Sequence, residues 1–254
     1  MSKLSSIINN RVVGIMAHGS SIEQLESYIG GLKNYDICWA SLGLFTVMED
    51  YILNKINKKL DIVMDCSTVS ESLQPNYEEN IRLPRIQNFL SRNTNNLWIT
   101  THGLIRDIVS KRRPTWLSTY NQAIFEVDDI FPTTDRPFYM SVPNSLTLLV
   151  AAALAGGAKK VILFGCDGYI ESENNLHTYY QSILQRIERL HALGDIMNEG
   201  IVRDSINFEK RFDLCVDVYK KLFNNNAEII NCSPNSIYSC IKKIDYNQLE
   251  RELV

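Results

Sequence analysis

The sequence predicts an α/β domain with a mostly parallel sheet and helices on both faces. Three observations carry this expectation. Short runs rich in Val, Ile and Leu recur along the 254 residues, separated by stretches with helical spacing. Strands separated by helices form βαβ units, whose strands pair in parallel. The runs are apolar almost throughout rather than alternating, as in strands covered on both faces. Polar residues gather where several of these runs end. In open parallel sheets that edge, at the carboxyl ends of the strands, is where ligands bind. Together these features describe a single Rossmann-like domain over residues 1–254.

The elements follow in order. Val12–Met16 reads as a first strand, and Ser20-Ser21-Ile22-Glu23 is a capping box that opens a helix. Residues 36–40 (DICWA) read as a second strand. Phe45, Met48, Ile52 and Ile56 then fall at helical spacing in a segment running to Lys59. Leu60–Met64, ending at Asp65, and Leu97–Thr101 read as the third and fourth strands, and Ala123–Val127 as a further one. Asn144 caps an Ala/Leu-rich helix that stops at Gly156-Gly157, followed by the buried strand KVILFG (Lys160–Gly165). Two helical stretches, 178–193 and 205–223, lead to a last strand at 228–231 and a short final helix. The irregular polar segment around 198–207 leaves room for a helical lid over about 170–207.

Composition narrows the partners. Hydrophobic residues make up 45% of the chain and charged residues 22%, ordinary for a globular domain. The formal net charge of −3 gives no excess of cations to neutralise a phosphate backbone, so nucleic acid is not an expected partner. The basic run Lys111-Arg112-Arg113 reads as a solvated helix end, with a site for phosphate or an acidic acceptor as the alternative. Six scattered cysteines form no C-x-x-C pair; Cys38, Cys166 and Cys232 lie in or at the end of apolar runs and read as buried free thiols. The N-terminal MSKLSSIINN is too polar for a signal peptide, and the apolar segment 146–155 is too short to span a bilayer. A cytoplasmic location and no transmembrane segment are expected. A homo-oligomer is compatible with the sequence.

Five strand ends carry the candidate chemistry. At the first, His18-Gly19-Ser20-Ser21 combines a glycine that permits close backbone approach with a helix start whose N–H groups favour phosphate. A plain capped turn explains the same residues equally well. Ser41 ends the second strand and Asp65 the third. Asn144 and Ser145 start a helix apolar all round, whose N-terminus is a ready anion site if it opens at the sheet edge. Gly165-Cys166-Asp167 ends the strongest strand, where the aspartate suits a ribose hydroxyl, a metal ion or a backbone turn. Ser233 and Asn235 lie just beyond the last strand. Of the four histidines, His191 reads as a surface or packing residue. No Cys/His/Asp spacing forms a zinc site, and no metal site is expected.

The run SVPNSLTLLVAAALAGGAKKVILFGCDGY (141–169) resembles a segment shared by three groups. They are the family 42 sialyltransferases, the Maf-type flagellin glycosyltransferases and the 6-hydroxymethylpterin pyrophosphokinase-like proteins. The shared pattern is a small polar cap, an apolar helix, Gly-Ala/Tyr-Lys, a strand and Gly-x-Asp. AHGSSIEQLE (17–26) is similar to their Gly-x-Gly-Pro-Ser-Leu opening turn, and INCSPNSIYSCIKKIDYNQLE (230–250) to their closing strand and Ser/Cys-Pro-Asn-Ser turn.

The resemblance implies a nucleotide donor held over the strand ends. Gly19, Ser20 and Ser21 would lie by its phosphate or ribose, and Asn144 and Ser145 by the nucleotide sugar. Tyr169 matches a tyrosine that binds the donor phosphate and assists the leaving group. Ala17-His18, Ala40-Ser41 and Asp65 stand where the sialyltransferases place an Asn-Gly pair and two donor-binding asparagines, and no histidine stands near Asn207. His177 is the nearest candidate base. The expected activity is nucleotide-sugar-dependent glycosyl transfer onto a glycan or protein acceptor in bacterial surface glycan assembly, with a donor that could be CMP-linked. Two alternatives stand beside it. One is an ATP-dependent pterin-type diphosphokinase using Mg²⁺ on Asp65 and Asp167; the other is a nucleotide-binding protein without catalysis.

Overall fold

The computed structural model describes residues 3–17, 19, 21–42, 52–65, 88, 91–92, 97–100, 118–121, 138–139, 145–167, 212–213, 215–236 and 238–253. The strands are β1 (Val12–Met16), β2 (Ile37–Leu42), β3 (Ile62–Asp65), β4 (Leu97–Thr100), β5 (Ser118–Asn121), β6 (Phe138–Tyr139), β7 (Lys160–Phe164), β8 (Glu228–Asn231) and β9 (Lys242–Lys243). They hydrogen-bond in the order β6-β5-β4-β3-β2-β1-β7-β8-β9, and every one of these pairings is parallel. The chain is therefore an α/β protein of Rossmann-like architecture.

Helices cover both faces. Side chains alternate along a strand, and β1 sends Val13 and Ile15 to one apolar core and Val12 and Met16 to the other. The first core is closed by α1 (Lys3–Ile8), α3 (Ser145–Ala155) and the helical residues 215–222 (α4). The second is closed by α2 (Ile22–Leu32), a 3₁₀ turn at Leu53–Ile56, and the C-terminal pair of a 3₁₀ turn (Tyr246–Gln248) and α5 (Leu249–Leu253). The placement of α2 and α3 on opposite faces of the sheet is thus fixed by which strand side chains each one buries. In β1, Gly14 has the Trp39 ring and the Ile37 methyl where a side chain would be: an added Cβ would lie 3.0 Å from both. The indole uses that gap to pack at 5.6 Å from the Phe164 ring.

Several elements differ from the sequence expectation. α1 is a real helix in the segment that reads only as polar N-terminus. Leu4 and Ile8 are buried against α3, and Ile8 fits because Gly156 has no side chain. β5, β6 and β9 carry no apolar run and have no sequence signature. The expected strand 123–127, the helices 178–193 and most of 205–223, and the lid region lie outside the described residues. The expected helix from Phe45 to Lys59 is described only in part, as the 3₁₀ turn closed by Asn57 in the left-handed conformation. α2 begins at Ile22, and the Ser21 side chain makes no capping bond to its own helix.

Polar groups secure the amino-terminal edge. Arg11 pairs with Asp36 at 2.7 Å. The Trp39 amide donates to the Asp61 carboxylate at 2.8 Å, and the Asp61 amide returns a bond to the Trp39 carbonyl at 2.8 Å. Burial raises the Asp61 carboxyl above its ordinary range, against the Trp39 amide and Arg11, which lower it. Lys160 bonds the backbone carbonyl of Glu252 at 2.7 Å, and the Glu252 carboxylate also takes Lys242 at 2.6 Å. The last helix is thereby fastened along β7 from Phe164, beside Tyr246, to Lys160.

The described cysteines are free thiols, and Cys38, Cys166 and Cys232 are buried. Burial pushes all three thiols up, Cys232 to about 12, so they are protonated packing groups at neutral pH. No helix among the described residues is long and apolar enough to cross a membrane.

Candidate functional site at the carboxyl edge of the sheet

The strand order reverses between β1 and β7. From β1 the chain passes through α2 to β2 on one side, whereas β7 and β8 extend the sheet on the other. Such a switch point opens a crevice at the carboxyl edge. α2 leaves the end of β1, and α3 runs back to the start of β7, so both helices begin at this edge. They lie on opposite faces of the sheet.

The end of β7 is shaped by Gly165, whose φ of +64° only glycine adopts readily. An added Cβ there would lie 2.8 Å from the Ala17 carbonyl and 2.9 Å from the Ile22 side chain. The turn lets the Gly19 amide donate to the Gly165 carbonyl at 2.7 Å. Gly19 itself has no room for a side chain, because Asp167 and the Gly165 carbonyl occupy the space. Its glycine is therefore required by contact between two turns of the protein.

Asp167, only 7% exposed, receives the Ser21 backbone amide at 2.9 Å on one carboxylate oxygen and the Ser21 hydroxyl on the other. The Ser21 hydroxyl also meets the Ser233 hydroxyl at 2.6 Å. Beneath Ser233, the Asn231 side chain accepts the Ser233 amide at 3.0 Å and donates to the Cys166 carbonyl at 3.0 Å. The Ser236 hydroxyl donates to the same carbonyl at 2.7 Å. Three strand-end turns, those of β1, β7 and β8, are tied into one polar cluster.

The two helix N-termini differ electrically. A helix N-terminus carries roughly half a positive charge, which nearby anions neutralise. α2 has Glu23 in its first turn and the Asp167 carboxylate on Ser21. α3 has no acidic residue in its first turn.

Of the residues singled out from sequence, Gly19, Ser21, Gly165, Asp167 and Ser233 converge. Asn235 is exposed beyond Ser233. Ser145 opens α3, and Asp65 ends β3 opposite Thr100 of β4. Ser41 lies at the end of β2, fully buried, with no hydrogen-bond partner for its hydroxyl among the described residues. His18, Ser20, Asn144, Tyr169 and His177 lie outside the described residues.

Asn231 and Tyr246 escaped the sequence reading, and Ser236 entered it only as part of the turn after the last strand. Asn231, like Ser236, is a buried polar residue beside a strand end, a position that could have marked it. Tyr246 has no such signal. Its ring lies 6.1 Å from Phe164 and 5.7 Å from Tyr28. Burial holds its hydroxyl protonated well above the ordinary range, and Cys232, Asp167 and Cys166 add to that.

No protein-family model matches the sequence, and no curated protein is significantly similar to it. Among the described residues, no group of three or more His, Cys, Asp or Glu side chains is arranged to hold a metal ion.

Proposed function

We propose that the protein is a nucleotide-sugar-dependent glycosyltransferase that holds its donor across the carboxyl edge of the sheet, with the diphosphate or phosphate at the N-terminus of α3. One observation carries the proposal. Two helices begin at the switch point, and only α3 lacks a carboxylate in its first turn, whereas α2 is already neutralised by Asp167 and Glu23. A phosphate gains most from the helix end that has no carboxylate in its own first turn. The resemblance over 141–169 points to the same helix.

In this mechanism the α3 N-terminus, with Asn144 and Ser145, binds the departing phosphate. Tyr169 assists it, lowering the barrier by stabilising charge that develops as the glycosyl bond breaks. His177 accepts the proton of the acceptor hydroxyl, and the acceptor oxygen displaces the nucleotide at the sugar carbon. The Asp167 cluster keeps the β1 and β7 turns in register beside the donor.

A diphosphokinase would need carboxylates directed at Mg²⁺. Both oxygens of Asp167 are engaged by Ser21, which favours the metal-free transfer. The test is release of nucleotide from CMP-, CDP-, UDP- and GDP-linked sugars, with water or an added glycan as acceptor. Release that survives EDTA and falls at least a hundredfold in His177→Ala supports the proposal. AMP formation from ATP that EDTA abolishes would establish the kinase instead.

A further inference from the structure

Lys242 and Lys243 form β9, the strand at one edge of the sheet, and their side chains take opposite faces. Lysines are common on edge strands, where they discourage pairing with another sheet. Lys242 meets the Glu228 and Glu252 carboxylates. The Lys243 ammonium donates instead to the backbone carbonyl of Ser236, in the turn that follows β8. Its register partner is Asn231, the last residue of β8, so the two side chains share a face at the carboxyl edge.

The Ser236 carbonyl stands at the outer end of a chain of contacts. Ser236 is buried; its hydroxyl accepts the Tyr238 amide at 3.2 Å and donates to the Cys166 carbonyl at 2.7 Å. Asn231 gives the same carbonyl a second donor at 3.0 Å. Both acceptor positions of the Cys166 carbonyl are then filled. A carbonyl fixed in direction fixes its peptide plane, and the next residue in that plane is Asp167. Asp167 in turn holds the Ser21 amide, and Gly165, one residue before Cys166, holds the Gly19 amide. A rotation of Ser236 would therefore move the Cys166 carbonyl, and both turns with it.

We infer that Lys243 is a positioning residue: from the edge strand it holds the β1 and β7 turns in place, acting through Ser236 and Cys166. Lys243 is exposed and belongs to neither apolar core, so loss of its bond loosens the carboxyl edge without opening the cores. That this order serves ligand binding rests on the proposed nucleotide site.

The test measures amide hydrogen exchange along the whole chain for wild type, Lys243→Met, Lys243→Arg and Ser236→Ala. Affinity is measured beside it for the tightest-binding of CMP, CDP, UDP, GDP and ATP. Methionine keeps most of the apolar stem and removes the donor. In Lys243→Met the Ser21 and Gly19 amides should exchange about three- to tenfold faster, and the nucleotide should bind about three- to tenfold more weakly. The Val13 and Ile162 amides, within β1 and β7, should keep their rates. Lys243→Arg, which retains a charged donor, should match wild type. Ser236→Ala should speed the Ser21 and Gly19 amides at least as much as Lys243→Met.

Unchanged Ser21 and Gly19 rates in Lys243→Met would overturn the inference. So would equal acceleration of Val13 and Ile162, because the bond would then serve the fold as a whole. Faster exchange at the two turns with unchanged nucleotide affinity would overturn the positioning role and leave the nucleotide site standing. If wild type bound none of the five nucleotides, the site itself would fall, and the positioning role with it.

Discussion

The Asp167 carboxylate accepts the backbone amide of Ser21 at 2.9 Å, 146 residues away in sequence, and so caps α2 from the neighbouring strand. Local side chains usually cap a helix. Here the cap comes from the end of β7, and the same contact joins two turns at the switch point. Removing the carboxylate leaves a part-buried amide and hydroxyl without their acceptor. Hydrogen bonds to a charged group contribute about 1.5–3 kcal/mol each. Asp167→Ala should therefore lose about 2–4 kcal/mol in urea unfolding. Ser21→Ala, which keeps the amide bond, should lose less than Asp167→Ala, about 1.5 kcal/mol. Equal losses in the two variants would show that the amide contact contributes nothing.

Two glycines should respond in opposite directions to alanine. Gly165 sits at φ +64°, and a Cβ there would strike the Ala17 carbonyl and Ile22. Gly165→Ala should cost about 2–4 kcal/mol. Gly30 lies inside α2 with nothing within 4 Å of an added Cβ. Gly30→Ala should stabilise by about 0.5–1 kcal/mol, through helix propensity and a less flexible unfolded chain. Thermal or urea unfolding of the two single variants decides both signs.

The pH dependence of stability should carry a contribution from Glu252. Its carboxyl is held below the ordinary range by hydrogen bonds from Lys242 first and Lys160 second. A carboxyl lowered in the folded state stabilises the fold above its unfolded pKa. That contribution disappears as the pH falls through the lower folded value. Glu252→Gln should therefore be less stable than wild type at pH 7, and the difference should shrink below about pH 4. Urea midpoints from pH 7 to pH 3 test this; a gap that persists unchanged at pH 3 contradicts it. Added salt should narrow the gap at pH 7, because the Lys242 side is largely exposed.

How far the structure was legible depends on the range of the interactions that make each part. The central strands β1, β2, β3, β7 and β8 are apolar runs, and burial on both faces writes itself directly into composition. α3 was legible for the same reason, being surrounded by core. β6 (Phe138–Tyr139) and β9 (Lys242–Lys243), the two edges of the sheet, were not, because edge strands are held by main-chain pairing and need no apolar pattern. α1 is six residues long, and its Leu4 and Ile8 become meaningful only once α3 is beside them.

The site divides in the same way. Its strand-end residues were visible as polar punctuation after apolar runs. Its partnerships were not, since Ser21, Asp167 and Ser233 come from three distant parts of the chain. The capping box at Ser20–Glu23 suggested a helix closed by its own residues; the observed cap is long-range, and no local pattern encodes it. Ser41 was legible as a position but not as a buried hydroxyl that lacks a partner among the described residues.

The central claim is that a nucleotide binds the carboxyl edge of this sheet, and thermal shift measures it most directly. A ligand at 100 times its Kd stabilises the folded state by about 2.7 kcal/mol. For a chain of this size that corresponds to a rise of about 5–10 °C in melting temperature. CMP, CDP, UDP, GDP and ATP are each titrated with Mg²⁺ and with EDTA. The account predicts that at least one nucleotide produces such a rise and that EDTA leaves it unchanged. No shift from any of the five at millimolar concentration would contradict it.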